Sequence, residues 1–217
     1  MRHVRRQGRT ARTDAMMDDF TTPGVIRKLL PWETAAFRNH LLRLDPQARH
    51  CRFAAGVSDQ TIITYAEKAL GPDALVHGFF VEGALRGAAE LRLLPETGSG
   101  EVAVTVEDDW RLTGIGTALF RRLLLTARNR GVENLVMSCL PANRAMQRLA
   151  ARFEGKISYA SGDVFADVTT PPASPLSLWR EAWTDGSSLA AALFDTQVRL
   201  LRKQARLSRQ FVAGTRT

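Results

Sequence analysis

The sequence predicts an α/β (α+β) protein, one mixed domain with an appendage at each end, and three observations carry that expectation. A β-branched run, Val102-Ala103-Val104-Thr105-Val106, lies between Gly98 and Gly100 on one side and Glu107-Asp108-Asp109 on the other, which reads as a short buried strand. After Gly114 the apolar period changes. Ile115, Leu119 and Leu123 fall four apart with Phe120, Leu124 and Ala127 flanking them, so an amphipathic helix runs to about Arg130 and stops at Gly131. The hydrophobic share of 45% is that of a protein with a proper core.

In chain order, residues 1–22 show no period and few large apolar groups, and read as a disordered basic lead-in with Met16 and Met17 as alternative starts. The main domain is expected over 23–170. Val25 to Leu29 makes a first strand, and Pro31 opens a helix to roughly Leu44 with Phe37, Leu41 and Leu42 on or near one face. The stretch from Leu44 to Phe53 leads into a second helix capped by Ser58, with Ile62, Ile63, Ala66 and Leu70 apolar. Leu75–Val81 and Leu85–Leu93 alternate and flank Glu82-Gly83-Ala84, which suits a hairpin. Beyond the central strand and helix, Leu135–Leu140 is another buried strand. Asn143 caps a short helix ending at Gly155, and strands at about 156–160 and 163–169 follow. Residues 171–217 read as a Pro-rich linker and a basic helix, with Trp179 and Trp183 packing a short helix onto the body.

Charge is confined to the ends. The net +8 divides into +2 over 1–22 and +6 over 196–217, and the body between them is neutral. The basic tail is expected to dock on its own domain or on a second subunit, as in a homodimer. Binding to nucleic acid or an anionic surface is the less favoured alternative. Cys51 and Cys139 form no disulfide framework and have no metal spacing, so no metal is expected. No run approaches the roughly 18 apolar residues of a membrane span, and a soluble, cytoplasmic protein is expected.

The strand, the turn and the helix start at 111–116 together make an anion site, because the first N–H groups of a helix lack internal partners and its dipole is positive there. A dinucleotide fingerprint would need a third glycine where Leu119 stands, and a triphosphate loop would need Gly-Lys-(Ser/Thr), which is absent. The spacing Arg111-x-x-Gly114-x-Gly116 resembles the pyrophosphate signature of the GNAT superfamily of N-acetyltransferases, (Gln/Arg)-x-x-Gly-x-(Gly/Ala). Asn143-Arg-Ala-Met146-Gln-Arg-Leu149, followed by Phe153 and Gly155, is similar to a second segment of that family. The closest look is to bacterial protein lysine acetyltransferase domains, which carry a strand like Glu101–Val106 and a segment like Pro46–Phe53.

The resemblance covers roughly residues 24–169 and implies the GNAT fold: a central, mostly antiparallel mixed sheet with flanking helices, here with a C-terminal helical extension. It implies acetyl-CoA as cosubstrate, held by Val104, Val106, Arg111, Leu112, Thr113, Gly114, Ile115, Gly116, Thr117 and Asn143. A carboxylate base is needed because a lysine-like amine is protonated at neutral pH. Glu101 is the candidate, with Glu90 as the alternative. Two departures stand out. Leu112 and Thr113 occupy positions where the family usually has Gly and a basic residue, and Arg111 is the residue that could compensate. Ala150 occupies the place of the family's tyrosine acid, with Tyr159 the nearest tyrosine, so the thiolate is expected to leave without a dedicated acid. The acceptor is expected to be a protein lysine or N-terminus. The alternatives are a small amine, drawn by seven acids among residues 82–109, or no turnover at all in an acyl-CoA-sensing module.

Overall fold

The computed structural model describes residues 24–160 and 162–184, together with Gly186 and Ala190. Seven strands form one sheet in the order β1-β2-β3-β4-β5-β7-β6. They are β1 (Val25–Lys28), β2 (Ala74–Val81), β3 (Ala84–Leu94), β4 (Ser99–Val106), β5 (Asn134–Cys139), β6 (Lys156–Ala160) and β7 (Asp163–Thr169). Every pairing is antiparallel except β4 with β5. The expected mixed, mostly antiparallel sheet is therefore present. The β2–β3 hairpin turns on Glu82 and Gly83, with φ of 50° and 76°. Positive φ at both central residues is the turn geometry whose twist matches the flanking strands.

Among the described residues, five α-helices flank the sheet. On one face lie α1 (Thr34–Arg43), α2 (Pro46–Phe53) and α3 (Asp59–Ala69), burying Phe37, Leu41, Ile62 and Ala66 against Leu29, Val76, Phe80, Leu85 and Ala88. On the other lie α4 (Ile115–Asn129) and α5 (Arg144–Arg152), whose Ile115, Leu119, Phe120, Leu123 and Ala150 pack on Phe79, Leu91, Val102, Leu135 and Met137. The strand period sorts side chains between these layers, so Val102, Val104 and Val106 of β4 face α4 while Glu101, Ala103 and Thr105 face the opposite way.

Three expectations need correction. Residues 46–53 are a helix of their own, not a lead-in: Asp45 caps α2 by accepting from the Ala48 N–H at 2.9 Å, and Pro46 fits its first turn. The end of α5 is set differently from the reading of Gly155 as a stop, since Glu154 takes the positive φ, 58°. Gly155 is needed for space, because a Cβ there would stand 3.0 Å from the Ala150 carbonyl oxygen and from Val168. The third concerns α6 (175–184), which does not dock through its tryptophans. Trp179 and Trp183 stack on each other at 5.7 Å and are 62% and 69% exposed. The helix is held instead by polar contacts to the end of α4: Asn129 Nδ2 donates to the Ser177 carbonyl at 2.9 Å, and Arg130 to Glu181 at 2.6 Å. The basic lead-in and the tail beyond 190 lie outside the described residues.

Candidate active site

β4 and β5 pair over only three residues, Ser99 with Asn134, Gly100 with Leu135 and Glu101 with Val136, and then part. Past that point β4 keeps its ladder to β3 and β5 keeps its ladder to β7, leaving a notch between them. The orientation of the peptide groups follows from one bond. Glu107 N–H donates to the Arg86 carbonyl at 3.0 Å, so odd-numbered residues of β4 pair toward β3. The N–H groups of Val104 and Val106 therefore face the notch. The Val106 carbonyl is already taken by Arg111 Nε at 3.1 Å.

The loop after β4 aims α4 at the same place. Residues 108–110 make a 3-10 turn, fixed by Trp110 packing edge-on to Phe79 at 5.9 Å, and Thr113 Oγ1 donates to the Trp110 carbonyl at 2.7 Å. Gly114 precedes α4 with φ of 90°, a conformation suited to glycine. The first helical bond runs from Ala118 N–H to the Gly114 carbonyl, leaving the N–H groups of Ile115, Gly116 and Thr117 at an open helix start. A Cβ at Gly116 would sit 3.8 Å from Val106 and 4.0 Å from Val104, so this glycine keeps the floor between helix and strand shallow. Leu112 adopts the left-handed region, φ 61°, and its side chain is 99% exposed. The backbone thus keeps the turn that glycine usually makes there. Arg111 does not supply a free charge, because it pairs with Asp45 and, at 2.8 Å, with Asp108. The structure gives it the role of tying the loop to the start of α2.

Asn143 caps α5: its Oδ1 accepts from the Met146 N–H at 3.1 Å, which leaves the amide NH₂ as its remaining donor. Ala150 is buried in the core, while Tyr159 is exposed on the outermost strand, far from the notch in sheet order. No tyrosine replaces the family's acid from either position.

The two candidate carboxylates part company. Glu101 is exposed, on the face of β4 away from α4, at the last residue paired with β5. Glu90 is 7% exposed and fully engaged: Arg52 donates to its Oε1 through Nε at 3.1 Å and Nη2 at 2.8 Å, and the Tyr65 hydroxyl donates to its Oε2 at 2.6 Å. Burial first, and then the Glu90 carboxylate, push the Tyr65 pKa up to about 12. The Arg-x-x-Arg-Phe of 49–53 is thereby explained as architecture, with Arg49 clamping the Leu44 carbonyl and Asp59 while Arg52 clamps Glu90.

A second buried cluster gave no signal in the sequence. His40 of α1 is completely buried, with Nδ1 3.0 Å from Glu107 Oε1 and Nε2 2.9 Å from Thr105 Oγ1. Glu107 also accepts from Arg43 at 2.8 Å and Arg86 at 2.9 Å. Burial opposes its ionisation, but His40, Arg43 and Arg86 as donors overcome that and bring its pKa down to about 2. Burial also holds the His40 pKa below its ordinary value, outweighing the pull of Glu107. A neutral ring beside an ionised carboxylate has one proton arrangement: Nδ1–H donates to Glu107, and Nε2 accepts from the Thr105 hydroxyl. Within the acid-rich window, Glu107 pairs with Arg43 and Arg86, Glu90 with Arg52 and Asp108 with Arg111, so three of its seven acids are matched by arginines. Among the described residues no three His, Cys, Asp or Glu side chains gather as metal ligands, and no helix is long and apolar enough to cross a membrane.

Comparison with known proteins places this arrangement. An acetyltransferase of Pseudomonas aeruginosa is 31% identical over 134 residues, which is 58% of this chain and 70% of that protein. The GNAT domain of PAT from S. lividans superposes with a TM-score of 0.58 at 17% identity, covering 67% of this chain and 90% of that one. The PaiA N-acetyltransferase of Thermoplasma acidophilum, solved in complex with coenzyme A, gives 0.54 at 15% identity over 68% and 99%. The model of the Acetyltransferase (GNAT) family matches residues 29–155, the span from the end of β1 through α5 that builds both walls of the notch, and the chain is an acetyltransferase of that family.

Proposed function

We propose that the enzyme moves the acetyl group of acetyl-CoA to a primary amine, that of a protein lysine or N-terminus, with Glu101 as the base. The observation carrying this reading is the notch: the N–H groups of Val104 and Val106 turn to the open edge of β4, the start of α4 lies against those two valines, and Glu101 stands exposed at the last residue before β4 leaves β5. The N–H groups at 115–117 would hold the pyrophosphate and Asn143 the pantetheine arm. The Val104 and Val106 N–H groups would hold that arm and the oxyanion that forms when nitrogen attacks the thioester carbon. The C–S bond then breaks and coenzyme A leaves as thiolate.

A lysine-like amine with pKa ~10.4 is free in only about one molecule in 10³ at neutral pH, a deficit of roughly 4–5 kcal/mol. Glu101, directly or through water, would take the proton that this deficit represents. Its exposure supports an acceptor whose bulk stays outside the protein while one amine reaches the strand. The small-amine reading has less support, because Glu90, Glu107 and Asp108 are neutralised by arginines and do not form a cation-attracting surface. The reaction is assigned to the cytoplasm as part of the same proposal.

The test is a screen of peptides and small amines for free-thiol release from acetyl-CoA, repeated with Glu101→Gln. Turnover should fall ~10²–10⁴-fold with acetyl-CoA affinity within about threefold of wild type. A full-rate variant removes Glu101 as base. Saturable binding with no turnover on any acceptor would support a sensor.

A further inference from the structure

We propose that the buried chain Glu107–His40–Thr105 is a positioning element for acetyl transfer, fixing the stretch of β4 that turns the Val104 and Val106 N–H groups into the notch. The proposal rests on the reading of the notch given above. It starts from a mechanical weakness. Most strands inside a sheet are held by ladders on both edges, but past Glu101 β4 is paired only with β3. Without a second ladder among the described residues, the placement of this stretch along the direction of the notch falls to β3 and to side-chain contacts, and that direction is the one that matters for donors aimed at a developing oxyanion. A misplacement of ~1 Å at a reacting centre can cost ~10²-fold in rate, and loss of one oxyanion donor ~10²–10³-fold.

Thr105 lies between the two donor residues and points to the opposite face, where His40 Nε2 receives its hydroxyl proton at 2.9 Å. His40 is held in turn by Glu107 at 3.0 Å, and Glu107 by Arg43 and Arg86. Arg43 also donates to the Leu85 carbonyl at 2.6 Å, joining the same network to β3. Helix α1 thereby supplies, through side chains, the anchorage that the absent β5 ladder does not. The cost is a fully buried imidazole, which a core position built only for packing would replace with an apolar residue. The arrangement also restricts chemistry: with its proton committed to His40, Thr105 Oγ1 can only accept from any further partner.

The experiment compares Thr105→Val, which keeps shape and removes the hydroxyl, with Thr105→Ser, which keeps the hydroxyl. Thiol release from acetyl-CoA is followed with Nα-acetyl-lysine amide in excess, and with water as acceptor where no amine is added; acetyl-CoA binding is measured by calorimetry. Thr105→Val should lose ~10–100-fold in kcat with the acetyl-CoA Kd changed less than about threefold, and Thr105→Ser should recover most of the rate. Full kcat in Thr105→Val overturns the proposal. Equal losses in both variants overturn it too, because the hydroxyl would not be the holding group. So does a loss confined to Kd, which would make the cluster a support of the cofactor loop.

Nitrogen NMR of the wild type tests the same point without any variant. His40 should show the neutral Nδ1–H form at pH 7 to 8; the Nε2–H form or an imidazolium there, in which Nε2 would donate to Thr105, overturns the proton arrangement on which the chain is built. Adding acetyl-CoA should move the Val104 and Val106 amide resonances. If they stay still, the notch reading fails and this proposal with it; if they move while Thr105→Val keeps full kcat, only the positioning fails.

Discussion

Acidification should destabilise this protein well before its carboxylates titrate, and His77 is the main reason. It sits on β2 between Lys28 of β1 and Ala89 of β3, 3% exposed, with Nε2 2.9 Å from Thr126 Oγ1 of α4. Nδ1 has no partner among the described residues. Burial first, then the positive charges of Arg122, Lys28 and Arg130, bring its pKa down to about 3. A base whose folded pKa lies below its unfolded value takes up its proton in the unfolded chain first, so each step toward acid favours unfolding. The loss begins as pH falls through about 6.5 and grows until the folded value is reached. At pH 5 the unfolded chain gains about 2 kcal/mol from this one ring, a large part of an ordinary stability of roughly 5–15 kcal/mol. His40 adds to it in the same direction. Glu107 does not contribute at pH 5: its folded pKa of about 2 lies below the usual carboxylate value, so its stabilisation is lost only between about 4.5 and 2. Urea unfolding at pH 7 and pH 5 measures the difference. His77→Gln keeps a donor for Thr126 but cannot protonate, and should remove about 2 kcal/mol of the pH dependence. An unfolding free energy equal at the two pH values in wild type, or an unchanged slope in His77→Gln, refutes the argument.

Two further outcomes separate the glycines and the carboxylates. Gly114→Ala meets no atom within 4 Å but inherits a φ of 90°, so it should lose ~1–2 kcal/mol of stability by urea unfolding. Gly116→Ala finds ordinary contacts and should keep its stability while weakening acetyl-CoA binding by calorimetry. Glu90→Gln breaks a buried bond network to Arg52 and Tyr65, and should lower the melting temperature clearly, the cost of a buried charge left unpaired being about 3–5 kcal/mol. Glu101→Gln, exposed and unclamped, should leave the melting temperature where it was, and a reversal of that order would exchange the roles assigned to the two residues.

What the sequence made legible is what short-range pattern controls. The β-branched run, the four-residue spacing of Ile115, Leu119 and Leu123, and the Glu82-Gly83 turn each carry their own geometry, and β4, α4 and the hairpin follow from them. Asp45-Pro46 was an equally local signal for α2, but no apolar side chain of that helix is buried, and hydrophobic spacing gave it no weight. Partnerships across the chain were not legible. His40 and Glu107 are 67 positions apart, and nothing near either residue announces the other. Glu90 and Glu101 look alike as glutamates on strands; which one is clamped depends on Arg52 and Tyr65 arriving from α2 and α3. Counting acids over 82–109 missed, for the same reason, that three of the seven, Glu90, Glu107 and Asp108, are paired, with counter-charges from α1, α2 and β3 as well as from the loop.

The period of a strand shows how β4 would serve both sides of the proposed reaction within eight residues. Alternation sends Val102, Val104 and Val106 toward α4, where Gly116 leaves room against them, and Glu101, Ala103 and Thr105 toward α1 and α2. The same alternation sends the peptide groups of the even residues to the open edge and those of the odd residues to β3. On the proposed reading, cofactor contacts and acceptor chemistry would thus fall to different residues of one strand. The alternating valines show that β4 has two faces, but not which edge of the strand its peptide groups turn to the notch. Only the register with β3, pinned by Glu107 against Arg86, decides that Val104 rather than Thr105 offers its N–H to the notch. A one-residue slip of β4 would exchange those two roles and turn Glu101 into the core, so the interactions that set this register, the Glu107 cluster foremost, are the ones on which the placement of the chemistry depends.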